Sequence, residues 1–224
     1  MHIEPGVVDV AKIGLSYATA TGTMGIFAKL ALDNVKENNI ISFAIKTLIS
    51  MILTFTFFEI FPHLSVGVSE LHLILGSTLF LVFGLAPAGA GLALGLLVQS
   101  IFFSPVDLAQ YGMNVTTLLA PLLALSYLAK SIIYKDISYA ELKYSQVLKL
   151  SLVYQAGIVT WVAFWAFYGQ GFAVENLVSV STFAIAYMSV IVIEPLISLA
   201  TLTFAKRYKQ SILSSKLIER KVYA

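Results

Sequence analysis

The chain has three histidines, His2, His63 and His72, and the first directly follows Met1. That placement carries a chemistry. The α-amine of Met1, the peptide nitrogen of residue 2 and the imidazole Nδ1 of His2 close a five-membered and a six-membered chelate ring around one ion. Such a planar nitrogen set suits Ni2+, Cu2+ or Co2+. Amine and imidazole bind only when deprotonated, so affinity should rise with pH. One more donor completes four-coordination, and His72 is the candidate. The alternative for His2 is a solvated N-terminal histidine with no ligand. There is no cysteine, which excludes disulfides, thiolate metal sites and iron–sulfur clusters.

Whatever positions these residues must be solvated by lipid. Of 224 residues, 58% are hydrophobic and 12% charged, with a mean hydropathy of +0.88. A soluble domain carries about 25% charged residues. The composition excludes a soluble enzyme, a disordered chain and a nucleic-acid binder, and a net charge of +2 is too small to seek a polyanion. In hydrocarbon only helices or closed barrels satisfy every backbone polar group. No ten-residue alternation is present, so the expected class is all-α: a polytopic integral membrane protein.

A span needs about 20 apolar residues. Clear spans are expected at about 11–32, 41–61, 114–134, 147–168 and 176–204. The uncharged stretch from Leu71 to Val106 is 36 residues long, about 54 Å as one helix. A turn at Leu85-Ala86-Pro87-Ala88-Gly89 divides it into short spans at 71–86 and 88–104, which gives about seven. With the N-terminus outside and the C-terminus inside, every Lys and Arg except Lys12 falls at the inner side, as the positive-inside rule requires. All three histidines then face out, beside Glu59 and Glu70. Trp161, Trp165 and Tyr168 fall at the outer end of their span, where an interfacial aromatic belt is expected. Residues 1–205 read as one transmembrane metal-capture domain and 206–224 as a cytoplasmic basic tail, solvated or lying on the surface. Glu4 and Asp9 near the start argue against a secretory leader, despite Ala18-Thr19-Ala20. No phosphate-binding loop motif occurs.

Three segments carry a resemblance. Met1-His2-Ile3-Glu4-Pro5-Gly6 resembles the start of the cobalt/nickel substrate-capture subunits of energy-coupling factor transporters, the CbiM/NikM family. Leu97-Val98-Gln99-Ser100-Ile101-Phe102-Phe103, followed by Leu108, Gly112, Asn114 and Pro121, is similar to that family's Leu-Val-Gln-Ala-Leu-Leu-Phe block and its sequel. Phe61-Pro62, His72-Leu73 and Gly76 resemble its Phe-Pro, His-Leu and Gly block. The stretch between Pro62 and His72 departs from the family's Gly-rich pattern. The resemblance implies a metal site made of the Met1 amine, the His2 amide and imidazole, and His72. It implies capture of Co2+ or Ni2+ and its passage across the cytoplasmic membrane, with no permanent cofactor and no enzymatic activity. A transmembrane coupling subunit and ATP-binding subunits would be partners. Asn114 then either orients a ligating imidazole or caps a helix. Two other classes fit the composition: a secondary transporter or channel for an organic solute, and a membrane structural or assembly subunit.

Other residues stand out. His63 is a ligand, a delivery residue or a plain interfacial histidine. Glu59 and Glu70 concentrate cations at the mouth or simply mark the membrane boundary. Glu194, before Pro195 inside the last span, is an intramembrane carboxylate and so a functional candidate; it is neutral, paired with Lys46, or near a partner subunit. Gly14, Ala18 and Gly22 permit the close approach of a helix, from this chain or from a coupling subunit.

Overall fold

A computed structural model describes residues 3–134, 137–208 and 218–222. The elements are α1 (Gly14–Asn38), α2 (Ile40–Phe55) with a π-helical turn Thr56–Ile60, the antiparallel hairpin β1 (Leu64–Val66) and β2 (Ser69–Leu71), and α3 (Gly76–Phe83). There follow α4 (Leu85–Phe102), α5 (Tyr111–Ile132), α6 (Tyr144–Gln170), α7 (Val174–Met188) and α8 (Val190–Arg207), with short 3-10 segments before α5 and α6. The protein is an all-α, multi-pass membrane protein. Among the described residues five segments are long and apolar enough to cross a bilayer: Ile40–Ile60, Leu85–Phe102, Pro105–Ile132, Tyr144–Gln170 and Val174–Arg207.

Burial follows lipid rather than water. Ile40, Ile41, Leu48 and Ile52 of α2 and Ile185, Val192 and Leu196 of α7 and α8 face outward. Inside lie Ser50, Thr54, Thr78, Thr116, Ser151 and Ser198. Small and hydroxylic residues let helix backbones approach and bond across the interface. The Thr78 and Ser198 hydroxyls are 2.7 Å apart, those of Thr19 and Thr116 3.1 Å. Gly91 and Gly95 of α4 lie against Ser50 and Thr54 of α2, so these two helices run in the same direction. Gly112 of α5 lies against Ser16 of α1, and Thr116 against Thr19, so that pair is parallel too.

The expected span at 71–86 is corrected. Residues 69–71 are strand, 72–75 are irregular, and α3 has only eight residues, about 12 Å of helix. All eight are buried. A helix apolar on every face belongs inside protein rather than against lipid. The turn falls at Gly84, one residue before the expected 85–89 segment. Its φ of 85° is in the left-handed region, and a Cβ there would also meet the Glu219 carboxylate. The last span is made of two consecutive helices: α7 gives way to α8 at Ser189, six residues before Pro195, which withholds an amide from the ladder of α8.

Three smaller expectations change. Gly14, Ala18 and Gly22 are exposed, so their face of α1 packs on none of the described residues. Trp165 is fully buried in the core instead of standing in an aromatic belt. Residues 209–217 of the tail lie outside the described residues, but 218–222 dock on the bundle. The Glu219 N–H donates to the Val82 carbonyl at 2.7 Å and Val222 is fully buried.

Candidate metal-capture site

The site forms where the N-terminal segment, the hairpin and the start of α5 meet. Ile3 is the first described residue; Met1 and His2 lie outside the described residues. Ile3 makes an antiparallel bridge with Ser69 of β2, and the Glu4 N–H donates to the Val68 carbonyl at 3.2 Å. The chain's start thus lies along the hairpin as an added edge strand. The Ile3 N–H donates to Oδ1 of Asn114 at 3.0 Å, and the Ile3 side chain is buried.

Asn114 is the fourth residue of α5, and Gln110 holds the N-cap position, so the capping role is overturned. Its side chain fixes the N-terminal strand instead. Nδ2 of Asn114 is buried with no hydrogen-bond partner among the described residues, and so is Oε1 of Gln99.

His72 follows β2 directly and is 1% exposed. Its ring lies 4.9 Å from that of Phe58 and stacks on His63 at 5.2 Å with 15° between planes. Nε2 of His72 lies 3.5 Å from Oε2 of Glu70. His63 itself is exposed on the loop before β1. The hairpin therefore brings His63, Glu70 and His72 together, with the start of the chain alongside. Among the described residues no three His, Asp or Glu side chains converge closely enough to hold a metal. The described part supplies one deeply buried imidazole, an exposed one stacked on it, and a carboxylate.

The same end of the bundle carries Glu4, Asp9, Glu59, Asp107 and Glu175. Lys12, the one Lys or Arg at this end among the described residues, caps the end of α6: Nζ donates to the Tyr168 and Gly169 carbonyls at 3.1 and 2.9 Å. The electrostatics of this end favour cations. A cleft of about 560 Å³ opens at the opposite end, among Phe80, Lys130, Tyr139 and Glu219, and holds none of the candidate ligands.

Glu194 is settled by its neighbours. It is fully buried and accepts hydrogen bonds from Ser77, Ser151 and Gln155. Of the alternatives weighed for Glu194, the pairing with Lys46 does not occur; Lys46 Nζ lies 3.9 Å from Glu219 Oε2. Ser77 and Gln155 gave no signal in the sequence, because single polar residues in apolar helices do not reveal their partners.

An apolar helical bundle with hydroxyls turned inward, a short, fully buried helix among the spans and an acidic mouth define a multi-pass membrane protein with a polar end. The chain belongs to the CbiM family, described as the cobalt uptake substrate-specific transmembrane region, whose model matches residues 2–212. Neither a curated protein nor a solved structure matches the chain. It is a substrate-specific membrane component of cobalt uptake, and Co2+ is the transported substrate that the family implies.

Proposed function

We propose that the protein captures Co2+ or Ni2+ at the outer face of the cytoplasmic membrane through the Met1 amine, the His2 amide and imidazole, and the His72 imidazole. The observation that carries this reading is the pairing of Ile3 with Ser69, three residues before His72. Two residues reach about 7 Å from Ile3 when extended, which brings a free amine and the His2 imidazole within range of a donor that is already buried and oriented. A buried imidazole with no bulk water around it favours a dehydrated, nitrogen-ligated ion.

The other residues take subordinate roles. His63, exposed and stacked on His72, receives the hydrated ion and hands it inward. Glu70 draws cations to the mouth. Asn114 holds the N-terminal strand in register, which keeps the His2 ring and amide in place. With seven crossings, one of them made by the irregular lead 72–75 and the short buried α3 that return the chain between the parallel helices α2 and α4, the N-terminus outside and the C-terminus inside, residues 1–205 form the capture domain and 206–224 a cytoplasmic basic tail. The chain works as the capture subunit of an energy-coupling factor transporter. A transmembrane coupling subunit and ATP-binding subunits supply the energy, since this chain has no phosphate-binding loop motif.

The test is metal content of purified protein with a native N-terminus, beside a version extended by two residues before Met1. About one ion per native chain and none in the extended chain is expected. Equal content in both sinks the assignment.

A further inference from the structure

We propose that Glu194 is a positioning residue for His72, acting through Gln155 and the backbone of 72–77. The inference rests on the metal reading above but concerns residues far from the mouth in sequence. A continuous chain of hydrogen bonds joins the two. The Ile74 N–H donates to the His72 carbonyl at 3.0 Å. The Ile74 carbonyl accepts from Nε2 of Gln155 at 2.8 Å, and the same nitrogen donates to Oε2 of Glu194 at 2.8 Å. Oε1 of Glu194 accepts from the Ser77 N–H at 2.9 Å and from the Ser77 hydroxyl at 2.8 Å. The Ser151 hydroxyl completes the set on Oε2.

The need for such a device follows from the fold. Residues 72–75 are irregular backbone packed inside the bundle, where unpaired peptide groups cost most. Helix α3 then begins with free N–H groups and few turns of its own to anchor it. A carboxylate at its N-terminus satisfies one of those donors and complements the helix dipole. With α6 and α8 both tied to it, the start of α3 is fixed, and so is the four-residue lead that carries His72.

A carboxylate is required rather than an amide. Both of its oxygens receive two donors, and only an acceptor-only group matches that demand. In Glu194→Gln the new NH2 must face either Ser77, whose backbone N–H cannot reverse, or Gln155. If it faces Gln155, that amide must turn to present its oxygen, and the bond to the Ile74 carbonyl is lost. Either way one tether of the His72 lead breaks while side-chain volume is unchanged.

The experiment uses the full chain with a native N-terminus in detergent, Ni2+ as the probe, and two variants, Glu194→Gln and Gln155→Leu. Ni2+ affinity, the visible ligand-field band of the bound ion and the thermal unfolding of the metal-free protein are read together. Both variants should unfold cooperatively, bind Ni2+ about ten- to a hundredfold more weakly, and show a shifted band because the His72 donor is misaligned. Should Glu194→Gln fail to fold, Gln155→Leu carries the test, since it leaves the Ser77 and Ser151 bonds intact. Wild-type affinity, or weaker binding with an unshifted band, in a folded variant overturns the assignment. If the wild-type protein itself takes up no Ni2+, the metal reading fails first; if only the variants match wild type, that reading stands and this one falls.

Discussion

The backbone N–H of Ile3 donates to the side-chain oxygen of Asn114 at 3.0 Å, across 111 residues of sequence. This one bond ties the start of the chain to the first turn of α5 and sets it beside the strand that leads to His72. Asn114→Leu removes the acceptor and leaves a buried N–H unpaired, at a cost of about 1–3 kcal/mol. The N-terminal strand should loosen and Co2+ or Ni2+ binding should weaken about tenfold or more, while Asn114→Asp, which keeps the oxygen, should bind nearly as wild type. Calorimetric titration of the three proteins checks this. If Asn114→Leu binds like wild type, the hairpin alone holds the strand.

The two stacked histidines should separate by kinetics. His72→Ala removes a proposed ligand and should abolish stable binding. His63→Ala leaves the ligand set intact, so equilibrium affinity should persist while the association rate drops. Glu70→Gln should also slow association, and its effect should fade as salt screens the mouth. Stopped-flow mixing with Ni2+ at low and high ionic strength distinguishes these outcomes. A His63→Ala protein that has lost its affinity would make His63 a ligand instead.

Much of this organisation is legible in the residues themselves. The apolar spans, the acidic end and the placement of His63 and His72 at that end follow from composition and charge. The segment 71–86 misleads because hydropathy registers burial without saying what does the burying. Leu79, Leu81 and Phe83 are as apolar as a lipid-facing span, yet α3 is enclosed by protein. The same ambiguity places Trp165 in a belt when it fills the core. Glu194 shows a different limit: a lone carboxylate in a span reveals that partners must exist, but Ser77, Ser151 and Gln155 come from elements 39 to 117 residues away. The three-residue strands of the hairpin are too short to produce an alternation, so the element that carries His72 is invisible until the chain is folded.

The docked C-terminus should matter for stability. Removing residues 218–224 deletes the bond from Glu219 to the Val82 carbonyl and exposes the site that Val222 fills. Burying one valine contributes about 1.5–3 kcal/mol and one hydrogen bond about 1 kcal/mol. A loss of roughly 3 kcal/mol, seen as a lower unfolding midpoint in detergent, is expected. Lys46 would also lose its Glu219 carboxylate, 3.9 Å away. An unchanged midpoint would mean that the segment is not docked in solution.

Tyr139 offers a pH-dependent check on that same contact. It sits in the turn Tyr139–Glu141, outside the spans, against Phe80 at a ring distance of 6.5 Å. Burial, and then the Glu219 carboxylate, push its hydroxyl up to about 12, against about 10 for an exposed tyrosine. The folded protein therefore holds this proton more tightly than the unfolded chain does. The stabilisation is complete below pH 10 and is lost as pH climbs from about 10 to about 12. The informative quantity is a difference between variants. The unfolding midpoint of wild type should fall more steeply over this range than that of Tyr139→Phe, and Glu219→Gln should lie between them. Parallel curves for wild type and Tyr139→Phe would show that the hydroxyl is solvated and that the turn does not close over Glu219.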